Sequence, residues 1–214
     1  GLGFLVEKEV NELSILNEPT HPFVVILGGS KVVDKIGVID NLVTKADKII
    51  IGGGMAYTFL VAKGFNIGKS ILDSESIDFC KDILSKYEDK IILPIDNVVT
   101  KEFSNDVPFK SVDVGNFEAD DMGMDIGEKS IELFSNALSD ASVIFWNGPL
   151  GVYEFSNFTN GTEKVLNKLI NTNAKTILGG GDIVAAASKL GYKDKVTHAS
   201  TGGGVTLELM KKKK

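Results

Sequence analysis

Short apolar runs, most of them ending in a cluster of glycines, recur along the chain and constrain its fold more than any other feature. The runs are FVVIL (23–27), KIII (48–51), KIILPI (90–95), SVIFW (142–146), KTIL (175–178) and VTHA (196–199). Most lack the alternation of a half-exposed strand and read as strands buried on both faces. Between them, residues 32–46, 55–63, 74–87, 128–138, 161–171 and 182–190 carry helical spacing. Strands alternating with helices of this length predict βαβ units and a mostly parallel sheet covered on both sides. Phe4–Leu16 reads as a helix stopped before the sheet by Pro19 and Pro22. Residues 100–125 are the least regular and read as a β-ribbon or a long loop. No linker divides the chain after residue 22. The expected organisation is therefore a helix and linker over 1–20 and one open α/β domain over 21–214.

In open parallel sheets, ligands bind beyond the carboxyl ends of the strands. Those ends are marked by Gly28-Gly29-Ser30-Lys31, Gly52-Gly53-Gly54, Asn147-Gly148-Pro149-Leu150-Gly151, Gly179-Gly180-Gly181-Asp182 and Ser200-Thr201-Gly202-Gly203-Gly204. A loop without Cβ atoms lets a flat ring or a phosphate approach the backbone, and a helix that follows it offers free amides to an anion. Packing explains one such loop, whereas five on one sheet edge predict a ligand site. Lys31 and Lys35, one turn apart at a helix start, oppose the helix dipole unless an anion pairs with them. A salt bridge to Asp34 is the other reading. Asp182 is either the N-cap of the helix over 183–190 or a ligand for Mg²⁺. Glu154 is either a surface carboxylate or a partner for ribose hydroxyls. His198 reads as structural, and Trp146 is expected to pack its indole under the NGP turn.

Composition narrows the function classes. The net charge of −6 argues against a nucleic-acid binder. Cys80 stands alone, so the chain has no internal disulfide or zinc framework and fits a reducing compartment. No run approaches the roughly 20 apolar residues of a membrane span. All 23 basic residues are lysines, so phosphate handling by this chain relies on lysine, backbone amides and metal. Gly64 to Ser70 resembles a P-loop, but the glycine spacing is one short and no strand feeds it. The G-x-G-x-x-G/A register fails at Tyr57 and again at Val184, which disfavours a nicotinamide or flavin site.

ILGGSKVVDKIGVIDNL, IIGGGMAYTFL, EFSND, MGMDIGEKSIELF, WNGPLGVYEF, LGGGD and STGGGVTLE, in this order, resemble the C-terminal half of phosphoglycerate kinases. The opening GFLVEKEV resembles the helix joining the two lobes of that family. The resemblance implies a three-layer αβα fold, a Rossmann-like, mostly parallel sheet of about six strands with helices on both faces. It implies reversible phosphoryl transfer between 1,3-bisphosphoglycerate and ADP, with ADP or ATP bound here together with Mg²⁺. The 3-phosphoglycerate or 1,3-bisphosphoglycerate would bind only to an N-terminal lobe, which does not precede Gly1. The chain then reads as an isolated domain, inactive or weakly active alone; the alternative is a non-catalytic nucleotide-binding module. A cytoplasmic monomer with no nucleic-acid or membrane partner is expected.

Carried over by motif, Gly29, Ser30, Gly53, Gly54, Gly123 and Met124 would line the adenine site, with Gly151 and Val152 closing it. Glu154 would meet the ribose. Lys31 and Lys35 would contact the phosphates, Lys31 following the transferring group, and Asn147 would approach the phosphate chain. Asp182 would ligate magnesium. Gly180, Gly181, Gly203 and Gly204 would cradle the transferring phosphoryl group, Gly180 and Gly203 acting with Lys31 in catalysis. Ile183 stands where the family usually has serine or threonine, leaving only its backbone amide for phosphate. Ser30, Glu128 and Val205 also depart from the common residues.

Overall fold

The structure, a computed structural model, describes residues 14–201. Its strands are β1 (Phe23–Leu27), β2 (Lys48–Ile51), β3 (Ile91–Ile92), β4 (Asp96–Thr100), β5 (Lys110–Asp113), β6 (Met122–Ile126), β7 (Val143–Asn147), β8 (Lys175–Gly179) and β9 (His198–Ser200). Its α-helices are α1 (Ile36–Leu42), α2 (Met55–Ala62), α3 (Ile77–Tyr87), α4 (Glu128–Leu138), α5 (Asn160–Ile170) and α6 (Gly181–Leu190). Six strands form one parallel sheet in the order β3-β2-β1-β7-β8-β9. Pleating sends successive side chains to opposite faces, so the continuously apolar runs fill two cores at once. Val25, Leu27, Ile49, Ile51 and Phe145 pack with Ile39, Leu42, Phe59 and Ile83 of α1, α2 and α3. Val24, Ile26, Ile144, Trp146 and Leu178 pack with Phe134, Leu138, Leu166 and Ile183 of α4, α5 and α6. The expected three-layer αβα architecture is therefore present.

Two expectations change, and a third, the β-ribbon or long loop over 100–125, resolves towards the ribbon. The helix read over 32–46 opens as a 3₁₀ turn, Val32–Lys35, and becomes α-helical only at Ile36. Lys31 is extended there, with φ −128 and ψ 136, and the Val33 amide is taken by the Asp73 carboxylate at 2.9 Å. The run over 90–95 supplies only the two-residue β3, because Pro94 lies just beyond it and cannot donate to a ladder. Part of 100–125 joins a second sheet, antiparallel in the order β5-β4-β6, with an irregularity between Val98 and Val99. This sheet packs on α2 through Tyr57, Leu60, Val99 and Phe117.

Asp96, at the start of β4, ties the two sheets together. Its buried carboxylate accepts from the amides of Ser130 (2.8 Å) and Lys129 (3.1 Å) at the start of α4. Most of the helix read over Phe4–Leu16 lies outside the described residues, as do Gly202 to Gly204, Val205 and the terminal lysines. Among the described residues, no helix is long and apolar enough to cross a membrane.

Candidate functional site

Strand order reverses at β1 and β7, which are neighbours although far apart in sequence. The region beyond their carboxyl ends at such a reversal is the usual place for a ligand in an open parallel sheet. Part of the glycine signal is packing after all. A Cβ on Gly28 would run into the carbonyls of Gly148 and Pro149, and Gly148 holds φ +92 against the Gly28 carbonyl. Trp146 lies fully buried below this contact and donates its indole N–H to the Gly148 carbonyl at 2.7 Å, as expected.

Beyond the packed loops lies a cavity of about 720 Å³. Ten predicted residues line it: Gly29, Ser30, Gly53, Gly54, Gly123, Met124, Gly151, Val152, Glu154 and Asp182. Its floor is β6. The Val152 amide bonds the Met124 carbonyl at 2.9 Å, fixing one wall to the floor, and the Ser70 hydroxyl accepts the Gly123 amide at 2.9 Å. The Tyr57 hydroxyl fills the space a Cβ on Gly123 would need. Behind the floor, buried Asp125 accepts the Ile126 amide (2.8 Å) and the Gly161 amide (2.9 Å), pinning the start of α5 to β6. Burial pushes this carboxyl up to about 8, while the two amides pull it down. Burial also raises the Tyr57 phenol, and Asp125 adds to that rise.

One end of the cavity is aromatic: Phe103 and Phe155 line it with ring centroids 5.1 Å apart. Sequence reasoning missed these two, together with Tyr57, Lys69, Ile71, Met122, Pro149, Leu150 and Tyr153. Tyr57 carried only a helix-packing signal, and Phe103 sits in the stretch read as irregular. Lys69 and Ser70 belong to the segment set aside as a false P-loop.

Lys31, Lys35, Asn147, Gly180, Gly181 and Ile183 do not line the cavity; Lys35 stands beside it, its side chain 3.3 Å from where a Cβ on Gly29 would lie. The Lys35 ammonium donates to Asn147 Oδ1, and Asn147 Nδ2 donates to the Gly179 carbonyl at 2.5 Å. Lys35 thus bonds across β1 and β7 rather than to Asp34. Burial holds its pKa below the ordinary value, while Asp182 and Asp34 pull it back up. Lys31 is exposed and extended before the turn, so the two lysines do not share a helical face as expected. Gly180, at φ +110 and ψ 147, is the residue that caps α6. Asp182 is therefore not the N-cap but an exposed residue of the first turn, and it reaches the cavity wall.

The space where a Cβ on Gly181 would lie is open, so nothing crowds this side of the helix start. Ile183 is fully buried in the core, which removes its side chain from the site and leaves only its amide near the helix start. Gly203 and Gly204 lie outside the described residues.

Asp182, an exposed carboxylate beside a turn with free amides, fits a hard cation shared with phosphate oxygens. The acidic trio Glu118, Asp120 and Asp121 does not: Lys101 already holds all three, at 2.7, 2.8 and 2.7 Å.

The comparisons with known proteins agree with this architecture. The sequence model of the family described as phosphoglycerate kinase matches residues 1–213. The curated phosphoglycerate kinase of Listeria welshimeri is 53% identical over 213 residues, covering 99% of this chain and 54% of that protein. The solved structure of phosphoglycerate kinase from Coxiella burnetii superposes with a TM-score of 0.93 at 35% identity, covering 96% of this chain and 54% of the other. That from Pyrococcus horikoshii gives 0.85 at 31%, covering 97% and 53%. The chain spans about half the length of these relatives, and it belongs to the phosphoglycerate kinase family.

Proposed function

We propose that this chain is the nucleotide-binding half of a phosphoglycerate kinase, taking MgADP or MgATP in the reversible phosphoryl exchange between ADP and 1,3-bisphosphoglycerate. The observation that carries the reading is the cavity at the β1/β7 reversal, aromatic and glycine-floored, with a polar cluster beside it. Asp182 lines the cavity, and Lys35, Asn147 and the start of α6 stand next to it, outside the lining. A purine suits the cavity, and a charged phosphate chain suits the cluster beside it. Glu154, on the wall with Val152 and Gly151, is placed to accept from ribose hydroxyls.

Lys35 neutralises the phosphates from a site already partly desolvated, where a charge–charge contact is stronger than in bulk water. Asn147 fixes the direction of that ammonium. Exposed Lys31 is free to follow the transferring group, and the amides of Gly180 and Gly181 stabilise its charge. Asp182 would hold magnesium, which would supply neutralisation of the phosphate charge. The acyl-phosphate substrate would be bound by residues corresponding to the part of the relatives that this chain, covering 54% of their length, does not match. Turnover by this chain alone is therefore expected to be weak.

Isothermal titration of the chain with MgADP tests the reading. Lys35→Ala and Asp182→Ala should each weaken binding by about ten- to a hundredfold, the loss expected for one charge-assisted contact. Unchanged binding in both variants would remove the site assignment. Robust turnover of 3-phosphoglycerate in a coupled assay would remove the claim of weak activity.

A further inference from the structure

The cavity's aromatic end is held by an arrangement that the binding residues do not include. Residues 101–109 connect β4 to β5 and carry Phe103, which is 62% exposed although it lines the cavity. Hydrogen bonds inside the loop are short-range: the Thr100 hydroxyl to the Glu102 carbonyl (2.7 Å), the Ser104 amide to the same carbonyl (3.0 Å), and the Asp106 amide to the Ser104 hydroxyl (3.4 Å). None of these fixes where the loop tip lies over the cavity.

Among the described residues, the hydrogen bonds from 102–108 to the rest of the fold all belong to Asn105. Its Nδ2 donates to the Ser156 hydroxyl at 3.1 Å. Its Oδ1 accepts the Asn157 amide at 2.9 Å, and its backbone carbonyl accepts Asn157 Nδ2 at 2.8 Å. Both partners sit in the 3₁₀ turn Ser156–Phe158, directly after Phe155. The same two segments meet through rings: Phe103 on Phe155 at 5.1 Å, and Phe109 on Phe158 at 5.6 Å. Phe158 is fully buried, which anchors the turn in the fold; the loop is tied at its start by Lys101 to Glu118, Asp120 and Asp121, while its tip reaches the turn through Asn105.

We propose that Asn105 is a positioning residue, a latch that joins the 101–109 loop to the Ser156–Phe158 turn and so sets the gap between Phe103 and Phe155. This rests on the reading of the cavity as a nucleotide site. An exposed ring on a loop tip with only local bonds samples many positions, and each must be given up when a flat base inserts beside it. The three bonds to Asn105 remove that freedom in advance. Because they join the segments that carry Phe103 and Phe155, the latch acts on affinity for the base rather than on the transferring group.

Two measurements on Asn105→Ala, Asn105→Asp and the parent chain decide the matter. Chymotryptic cleavage within 101–109, mapped by mass, should accelerate about tenfold in Asn105→Ala, and MgADP affinity should fall about tenfold, the worth of one to two net hydrogen bonds. Asn105→Asp keeps the acceptor for the Asn157 amide and should recover part of both effects. The thermal midpoint of Asn105→Ala should move by no more than about 2 °C, since the loop is peripheral to the core. Unchanged cleavage overturns the latch. Faster cleavage with unchanged MgADP affinity overturns its positioning role, while absence of MgADP binding in the parent chain overturns the nucleotide reading itself. An affinity loss accompanied by a large drop in midpoint assigns Asn105 to general stability and also sinks the proposal.

Discussion

Lys35 is a half-buried ammonium directed at Asn147, with the Asp182 and Asp34 carboxylates close enough to raise the pKa that burial lowers. An anion needs it protonated, so MgADP affinity should decline as pH climbs towards a value below the ordinary 10.5. Titrations between pH 7 and 9.5 read this directly, and Lys35→Ala should abolish the decline; a flat profile in the parent chain contradicts it. Gly123 poses a steric question of the same scale. A methyl there meets the Tyr57 hydroxyl and ring, neither of which has room to retreat in a buried position. Gly123→Ala should destabilise the fold by about 1–3 kcal/mol in urea titrations. Tyr57→Phe in the same chain should restore part of it, and strictly additive losses would show that the two do not meet.

At the scale of elements, the start of α4 depends on a residue from another strand. The Asp96 carboxylate satisfies two of the amides that a helix start leaves without intrahelical partners, and it also accepts the Ser130 hydroxyl at 2.6 Å. Asp96→Ala strands these buried donors, which should cost about 2–4 kcal/mol by chemical denaturation. A loss below about 0.5 kcal/mol would mean that water replaces the carboxylate without penalty. The Asn105 latch follows the same design, with one polar side chain fastening two segments that sequence distance keeps apart.

For the whole molecule, buried Asp125 links stability to pH. Its folded pKa of about 8 lies above the ordinary 3.8, so between those values the folded state keeps a proton that the unfolded chain has released. Stability from this group is therefore fully present below about pH 4 and is lost as pH rises to about 8. Asp47 and Glu128, whose pKa values lie below the ordinary range, act in the opposite sense and lose their contribution as pH falls through those values. Denaturation midpoints should peak near pH 4–5 and fall towards pH 8, with Asp125→Asn flattening the alkaline side. A parent chain equally stable at pH 5 and pH 8 would contradict this.

Much of this organisation was legible in the sequence where its cause is local. Strands buried on both faces show as unbroken apolar runs, and the helix expected over 128–138 has those bounds in the structure, because its amphipathic period is written within a few turns. The family motifs also located ten residues of one cavity wall. Other features were not legible. Which glycines pack loop on loop (Gly28 on Gly148) and which leave open space (Gly181) depends on what stands opposite. Lys31 and Lys35 were expected on one helical face, yet the segment between them is a 3₁₀ turn whose Val33 amide donates to the Asp73 carboxylate. The aromatic end, made by Phe103 and Phe155, has no periodic signal at all. Sequence by itself determined the alternation of strands and helices and the sheet edge on which a ligand would sit. Tertiary structure alone decided the strand order, the second sheet and the walls of the cavity, because these arise from contacts between residues that only the chain's long-range topology brings together.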